Sequence, residues 1–132
     1  MSMEARLQAA TTEYQKLQNE KALFDQDLQT AVETRQRLEA QQNENEAVKK
    51  EFSSLKSHNV VYKMIGPVLV KQDREEAKGN VDKRLEYIKG EISRVDDHIA
   101  DLTKKSERKK TEIVTIQNVM QAKRTEDTVA AK

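Results

Sequence analysis

Two stretches of the chain repeat at alternating spacings of three and four residues, and most of the repeated side chains are apolar. Such a repeat averages 3.5 residues and keeps its members on one face of a helix, as in the seam of a coiled coil. In the first stretch the seam is Leu7, Ala10, Tyr14, Leu17, Lys21, Phe24, Leu28, Ala31, Arg35 and Leu38. In the second it is Val81, Leu85, Ile88, Ile92, Val95, Ile99, Leu102, Ser106, Lys109, Ile113, Ile116 and Met120. The pattern therefore predicts two long helices.

Local signals set the boundaries of these helices. The first is predicted over residues 1–57, because residues 1–56 contain neither Gly nor Pro. The second is predicted over 74–124, because Asp73 and Glu76 have the spacing of a capping box. Residues 125–132 lack periodicity, and we expect them to fray. All 132 residues are assigned to one domain.

Each predicted helix has a single narrow apolar stripe, which needs a partner if the helix is to be stable in water. The nearest partner is the other helix, in an antiparallel arrangement that sets Leu17 opposite Ile113 and Leu28 opposite Leu102. The expected fold is mainly α, a long antiparallel two-helix coiled coil that forms a rod.

A β-hairpin is predicted between the helices, at residues 58–73. Two β-branched and apolar runs, 60–65 and 68–71, flank the pair Gly66-Pro67, and such punctuation is typical of a hairpin turn. The alternative is a plain connecting loop, which would not need so many β-branched residues. Because an isolated hairpin is marginal in water, we expect hairpins of several chains to join in a shared sheet or barrel. The candidate interface residues are Val60, Val61, Tyr62, Met64, Ile65, Val68, Leu69 and Val70.

The amino-acid composition excludes several classes of function. Charged and hydrophobic residues each make up 36% of the chain, and 24 basic side chains balance 23 acidic ones. There is no cysteine, which excludes disulfides and thiolate chemistry. No glycine-rich phosphate loop or supported catalytic group is present. We therefore expect a protein that is not an enzyme and binds no cofactor.

Two clusters could indicate other ligands. Asp96, Asp97, His98 and Asp101 could suggest a metal site, but clustered acids are expected in so charged a chain, so no metal is predicted. The basic run 104–110 could contact nucleic acid, but acidic residues flank it and a solvated helix face is favoured. No apolar run approaches membrane-spanning length, and no secretory signal is recognised at the N-terminus. An intracellular protein without membrane or nucleic-acid partners is expected.

The stretch from Val61 to Gln72, VYKMIGPVLVKQ, resembles the signature of β-type prefoldin subunits, and residues 81–88 with Glu91 and Ile92 continue the resemblance. The resemblance implies a hexameric, ATP-independent co-chaperone in the cytoplasm. Two α-type and four β-type subunits would join their hairpins in a double β-barrel platform. Coiled coils would carry unfolded actin and tubulin at their tips to the group II chaperonin. The alternative is a generic coiled-coil adaptor or tether that dimerises through its helices.

The seam itself suggests where unfolded clients would bind. Ser106 and Lys109 fall opposite Phe24 and Lys21 in the antiparallel register, and charged groups in a seam lower its stability. We therefore expect the free end of the rod to be loosely closed and able to expose adaptable apolar side chains. The alternative is that these side chains only close the coiled coil. The candidate client-binding residues are Met1, Met3, Leu7, Ala10, Tyr14, Ile116, Val119 and Met120.

Overall fold

The computed structural model of the chain describes the backbone of residues 2–130 and the side chains of residues 2–126. Helix α1 (Met3–Ser54) is followed by strands β1 (Val61–Ile65) and β2 (Val68–Gln72), and then by helix α2 (Arg74–Ala130). This order confirms the predicted mainly α fold, in which two long helices flank one antiparallel hairpin. The chain divides into two compact units. We call residues 33–96 the hairpin unit, and the described parts of 1–32 and 97–132 the terminal unit.

The core of the hairpin unit lies along the predicted seam of α2. Val81, Leu85 and Ile88 are buried there, one helical turn apart, together with Ala77. Burial at this spacing confirms the predicted phase of the repeat, because residues three and four apart share one face of a helix. Ion pairs flank this core on the two helices, with Arg35 Nε 2.6 Å from Asp96 Oδ1 and Lys49 Nζ 3.1 Å from Asp82 Oδ1.

The hairpin is closed by a two-residue turn. Its strands pair from Ile65 opposite Val68 to Val61 opposite Gln72, so only Gly66 and Pro67 lie between them. Gly66 has a φ of 59°, a left-handed conformation that favours glycine. A positive φ at the first turn position alone is the pattern of a type II′ turn, whose twist matches that of the paired strands.

A side-chain clamp connects the end of α1 to the start of α2. After α1 ends at Ser54, Lys56 N donates to Asn59 Oδ1 (2.7 Å) and Asn59 N donates to the Lys56 carbonyl (3.0 Å). The Arg74 guanidinium then donates to the carbonyls of Lys56 (2.7 Å) and Asn59 (2.8 Å). α1 stops three residues short of the predicted boundary at 57, because this asparagine-stabilised turn competes with the helix for the same backbone groups.

The predicted start of α2 is confirmed by its cap. Asp73 Oδ2 accepts a hydrogen bond from the backbone N–H of Glu76 at 3.1 Å. An acceptor at this position satisfies one of the amides that the first turn of a helix leaves unpaired. The cap therefore fixes the point where β2 gives way to the helix.

Burial in the terminal unit also confirms the predicted seam, and α2 extends beyond its predicted end. Ala10, Leu17, Ala31, Leu102 and Ile113 are buried at repeat positions. α2 continues to Ala130, so residues 125–130 are helical where the sequence suggested a frayed tail. Residues without periodicity form no apolar stripe, but their backbone can still form helical hydrogen bonds. Extending an existing helix also costs far less free energy than starting one. None of the described helical residues form an apolar stretch that could span a bilayer.

Candidate functional site

The hairpin presents the first candidate site as an open apolar sheet. Seven of its eight candidate interface residues are exposed and Val61 is half-buried; Met64 is 70% and Leu69 60% exposed. Because side chains alternate along a strand, one face carries Tyr62, Met64 and Leu69, and the other Val61, Ile65, Val68 and Val70. Both faces are thus apolar and open to water.

The charges on this sheet are all positive. Lys63 lies in β1 on the face of Ile65, and Lys71 lies in β2 on the face of Leu69. Both lysines are exposed, and neither forms an ion pair with a residue that the structure describes. Residues 60–72 contain no Asp or Glu. The hairpin is therefore an apolar surface with one cation on each strand and each face.

A groove of about 650 Å³ lies where the hairpin meets the helices of the same unit. Val48, Phe52, Val61 and Val81 give it apolar walls, and Lys63 and Arg84 line it with cations. No acidic residue lines it. The sequence did not reveal this groove, because it forms only where the strand and both helices converge.

The second candidate site lies in the terminal unit. Seven of the eight predicted client-binding residues fall there, and Met1 lies outside the described residues. Met3, Leu7, Tyr14, Ile116 and Met120 are half-buried, Ala10 is buried and Val119 is exposed. The structure therefore brings these residues into one unit, but most of their side chains are only partly exposed.

Two shallow grooves in the terminal unit reach these side chains. Tyr14 and Met120 line one of about 360 Å³, and Ile116 lines another of about 340 Å³ beside Leu17. The Tyr14 hydroxyl accepts a hydrogen bond from Gln18 Nε2 at 2.8 Å and lies 3.3 Å from Gln117 Nε2. Apolar side chains are thus accessible here even with the helices paired.

The polar seam residues have partners that the sequence analysis did not assign. The Ser106 hydroxyl, in a residue only 8% exposed, donates to Asp25 Oδ1 at 2.6 Å. Lys21 Nζ lies 2.6 Å from Asp25 Oδ2. These two hydrogen bonds, first that from Lys21 and then that from Ser106, lower the pKa of Asp25. The carboxylate therefore connects a lysine of α1 to a serine of α2. We call the group of Lys21, Asp25 and Ser106 the first polar layer of the seam.

A second polar layer lies around Lys109. Its ammonium group lies 2.6 Å from Glu20 Oε2 and 3.4 Å from Glu112 Oε2. The hydrogen bond with Glu20 raises the pKa of Lys109 and lowers that of Glu20. The sequence predicted that charged groups loosen the seam here; the structure gives each of these groups a partner, and the looseness itself stays a prediction. The i, i+4 spacing of Lys21 and Asp25 was the available signal for one of the pairs.

Acid is expected to remove the contribution of these layers to stability. Glu20 and Asp25 have lowered pKa values, so their stabilisation is present above the ordinary carboxylate pKa and is lost as the pH falls through the lowered one. The double variant Glu20→Gln, Asp25→Asn should have a lower melting temperature than the wild type at pH 7, and this difference should shrink as acid protonates both carboxylates. Circular dichroism melts at several pH values measure it.

A matched control is the double variant Glu86→Gln, Glu107→Gln, which changes two exposed carboxylates that form no ion pair with a described residue. It should melt close to the wild type at every pH. A difference of equal size at pH 7 and pH 2 for the first variant would show that the layers contribute packing rather than charge.

The two alternative clusters are engaged in ion pairs. Asp96 pairs with Arg35, and Asp101 Oδ2 lies 3.0 Å from Lys105 Nζ. Lys105 also lies 6.0 Å from the ring centroid of Phe24. Among the described residues no group of three or more side chains is arranged to hold a metal ion. Asp96 and Asp101 of the acidic cluster and Lys105 of the basic run are thus paired within the chain itself.

Comparison with known proteins gives a consistent result. A family model described as "Prefoldin subunit" matches residues 15–123. The chain is 40% identical to prefoldin subunit 6 of Mus musculus, over 90% of this chain and 88% of that protein. The identity to the Homo sapiens subunit 6 is also 40%, over 90% and 87% of the two chains. Subunit 6 of Saccharomyces cerevisiae is 40% identical over 80% of this chain and 86% of its own.

A solved structure has the same fold. The crystal structure of the prefoldin beta subunit from Thermococcus strain KS-1 matches with a TM-score of 0.73 and 21% identity. The match covers 78% of this chain and 90% of that chain. Two helices joined through one hairpin are thus common to both.

Proposed function

The chain belongs to the prefoldin subunit family, whose members are co-chaperone subunits and not enzymes, and we propose that it acts as a β-type subunit of a hetero-hexamer. In this proposal two α-type and four β-type subunits assemble through their hairpins in the cytoplasm. The complex holds unfolded actin and tubulin without using ATP and transfers them to the group II chaperonin.

The open hairpin carries the proposal. Both of its faces expose large apolar side chains, among them Met64 and Leu69, and its outer strand edges have no neighbour among the described residues. Apolar sheets with free edges associate readily. Residues Val60 to Val70 are therefore the proposed contact with neighbouring subunits.

The terminal unit is the proposed client-binding region. The grooves beside Tyr14, Ile116 and Met120 offer apolar contacts, and Val119 is already exposed. Methionine and other flexible side chains adapt to varied partners. Such a surface suits a binder of unfolded chains, in which no fixed sequence is recognised.

The burial of the seam disfavours the alternative that the chain is a coiled-coil adaptor. An adaptor that dimerises through its helices needs a free apolar stripe, but Leu17, Leu85 and Ile113 are buried within the single chain. The largest group of exposed apolar side chains, seven residues from Val60 to Val70, lies at the hairpin instead. Association through strands is thus the simpler reading of the structure.

Client capture is tested by suppression of actin aggregation with the assembled complex. Removing residues 1–9 and 117–132 of this subunit should lower the suppression several-fold while the complex keeps its sedimentation coefficient. The reason is that five of the eight proposed client-binding residues, Met1, Met3, Leu7, Val119 and Met120, are removed. A chain with Leu23→Glu is the control, since Leu23 is an exposed apolar residue of the same unit outside the proposed region. Undiminished suppression by the truncated complex would contradict the proposal.

A further inference from the structure

The groove of the hairpin unit combines apolar walls with an unbalanced charge. Val48, Phe52 and Val81 supply apolar surface, while Lys63 and Arg84 contribute two cations. Among the described residues, Arg84 Nη1 reaches only the Asn45 side-chain oxygen, at 3.5 Å, and Lys63 forms no ion pair. A segment that fills this groove would bring both cations out of water, and buried cations require anionic partners.

A second copy of this chain does not supply those anions through its hairpin. Residues 60–72 have Lys63 and Lys71 and no carboxylate. Lys63 is the central residue of the five in β1, so a symmetric antiparallel pairing of two β1 strands sets the two Lys63 side chains directly opposite each other. Like charges at such positions are destabilising, and edge lysines are a known defence against self-pairing.

We propose that this groove and the β1 edge bind a strand of a non-identical neighbouring subunit in which carboxylates accompany apolar side chains, and that Lys63 bars a second copy of this chain from the same place. The proposal rests on the proposed function and adds to it the chemistry by which a neighbour is chosen. Apolar contacts supply the affinity, whereas the charges decide which partner is accepted.

The exclusion of a second copy is tested with the chain alone. Lys63→Gln removes the opposed charges but keeps a long side chain, so its self-association should strengthen at least tenfold in sedimentation equilibrium. Raising the salt from 50 to 500 mM should strengthen the wild type's self-association as well, because salt screens the repulsion. A wild type that self-associates as tightly as Lys63→Gln at low salt would overturn the proposal and make a second copy the occupant.

The acidic partner is tested by co-expressing the chain with the other subunits of the human prefoldin complex, in place of the human subunit 6. The variant Lys63→Glu, Arg84→Glu should enter the complex at a tenth of the wild-type level or less. Lys89→Glu is the matched control, since it reverses an exposed lysine of the same unit outside the groove, and it should enter as the wild type does.

The outcomes of the second test separate the two proposals. Equal incorporation of the charge-reversed chain overturns the acidic-partner inference while supporting the proposed function. If the wild-type chain joins none of the human subunits, the proposed function loses its support. In that case the chain-alone experiment still decides whether Lys63 bars a second copy.

Discussion

Replacement of Leu69 with aspartate is expected to keep the chain out of the assembled complex while leaving its helices intact. Leu69 is 60% exposed, on the hairpin face that also carries Tyr62, and lies directly opposite Met64 in the sheet. Packing a neighbouring strand over it would move a carboxylate from water into an apolar contact, at a cost of roughly several kcal/mol. Since each 1.4 kcal/mol or so is a factor of ten, association should weaken at least about a hundredfold.

Tyr87→Asp is the matched control for this change. Tyr87 is 65% exposed, in the same unit, but lies on α2 rather than on the hairpin. Analytical ultracentrifugation should find Tyr87→Asp in the complex and Leu69→Asp outside it, with equal helicity by circular dichroism. A complex that forms normally with Leu69→Asp would show that the subunits do not assemble through this sheet.

The largest loss of stability is expected for Ile88→Ala. Ile88 is 3% exposed and lies in the seam of the hairpin unit, one turn from Leu85. Truncating this buried isoleucine loses the free energy gained by moving its side chain out of water and leaves a cavity, and the two effects together cost about 2–5 kcal/mol. Urea unfolding followed by circular dichroism measures the change in the free energy of unfolding.

The neighbouring residue provides the comparison. Tyr87→Ala, one position before Ile88 but on the exposed side of α2, should change the free energy of unfolding by no more than about 0.5 kcal/mol. Ile92→Ala should fall between the two, because Ile92 is only half-buried. Equal losses for Tyr87→Ala and Ile88→Ala would mean that the assigned seam is on the wrong face.

Periodicity was sufficient to identify the buried face of each helix. Val81, Leu85 and Ile88 are buried because residues three and four apart share a helix face, which depends only on helix geometry. The hairpin could also be predicted from the sequence, since Gly66 supplies the positive φ that a two-residue turn requires. These features are local in sequence, and local patterns record them directly.

Contacts between distant residues were not readable in the same way. The sequence placed Ser106 and Lys109 in the seam, but not the Asp25 and Glu20 carboxylates that satisfy them. These acids lie beside the seam, where many charged residues are equally plausible partners. The clamp from Arg74 to the carbonyls of the Lys56–Asn59 turn was missed for a related reason. Backbone acceptors leave no signal in the sequence.

The contacts between the helices are nested around the hairpin, and this nesting predicts an order of folding. Partners are 39 residues apart at Asn45 and Arg84, but 103 apart at Tyr14 and Gln117. Loop closure from the open chain becomes costlier with loop length, whereas a chain zipped outward from Gly66 and Pro67 closes only a few residues at each step. Alanine at Val81 should therefore slow folding, and alanine at Leu17 should mainly speed unfolding, as stopped-flow φ-values would record.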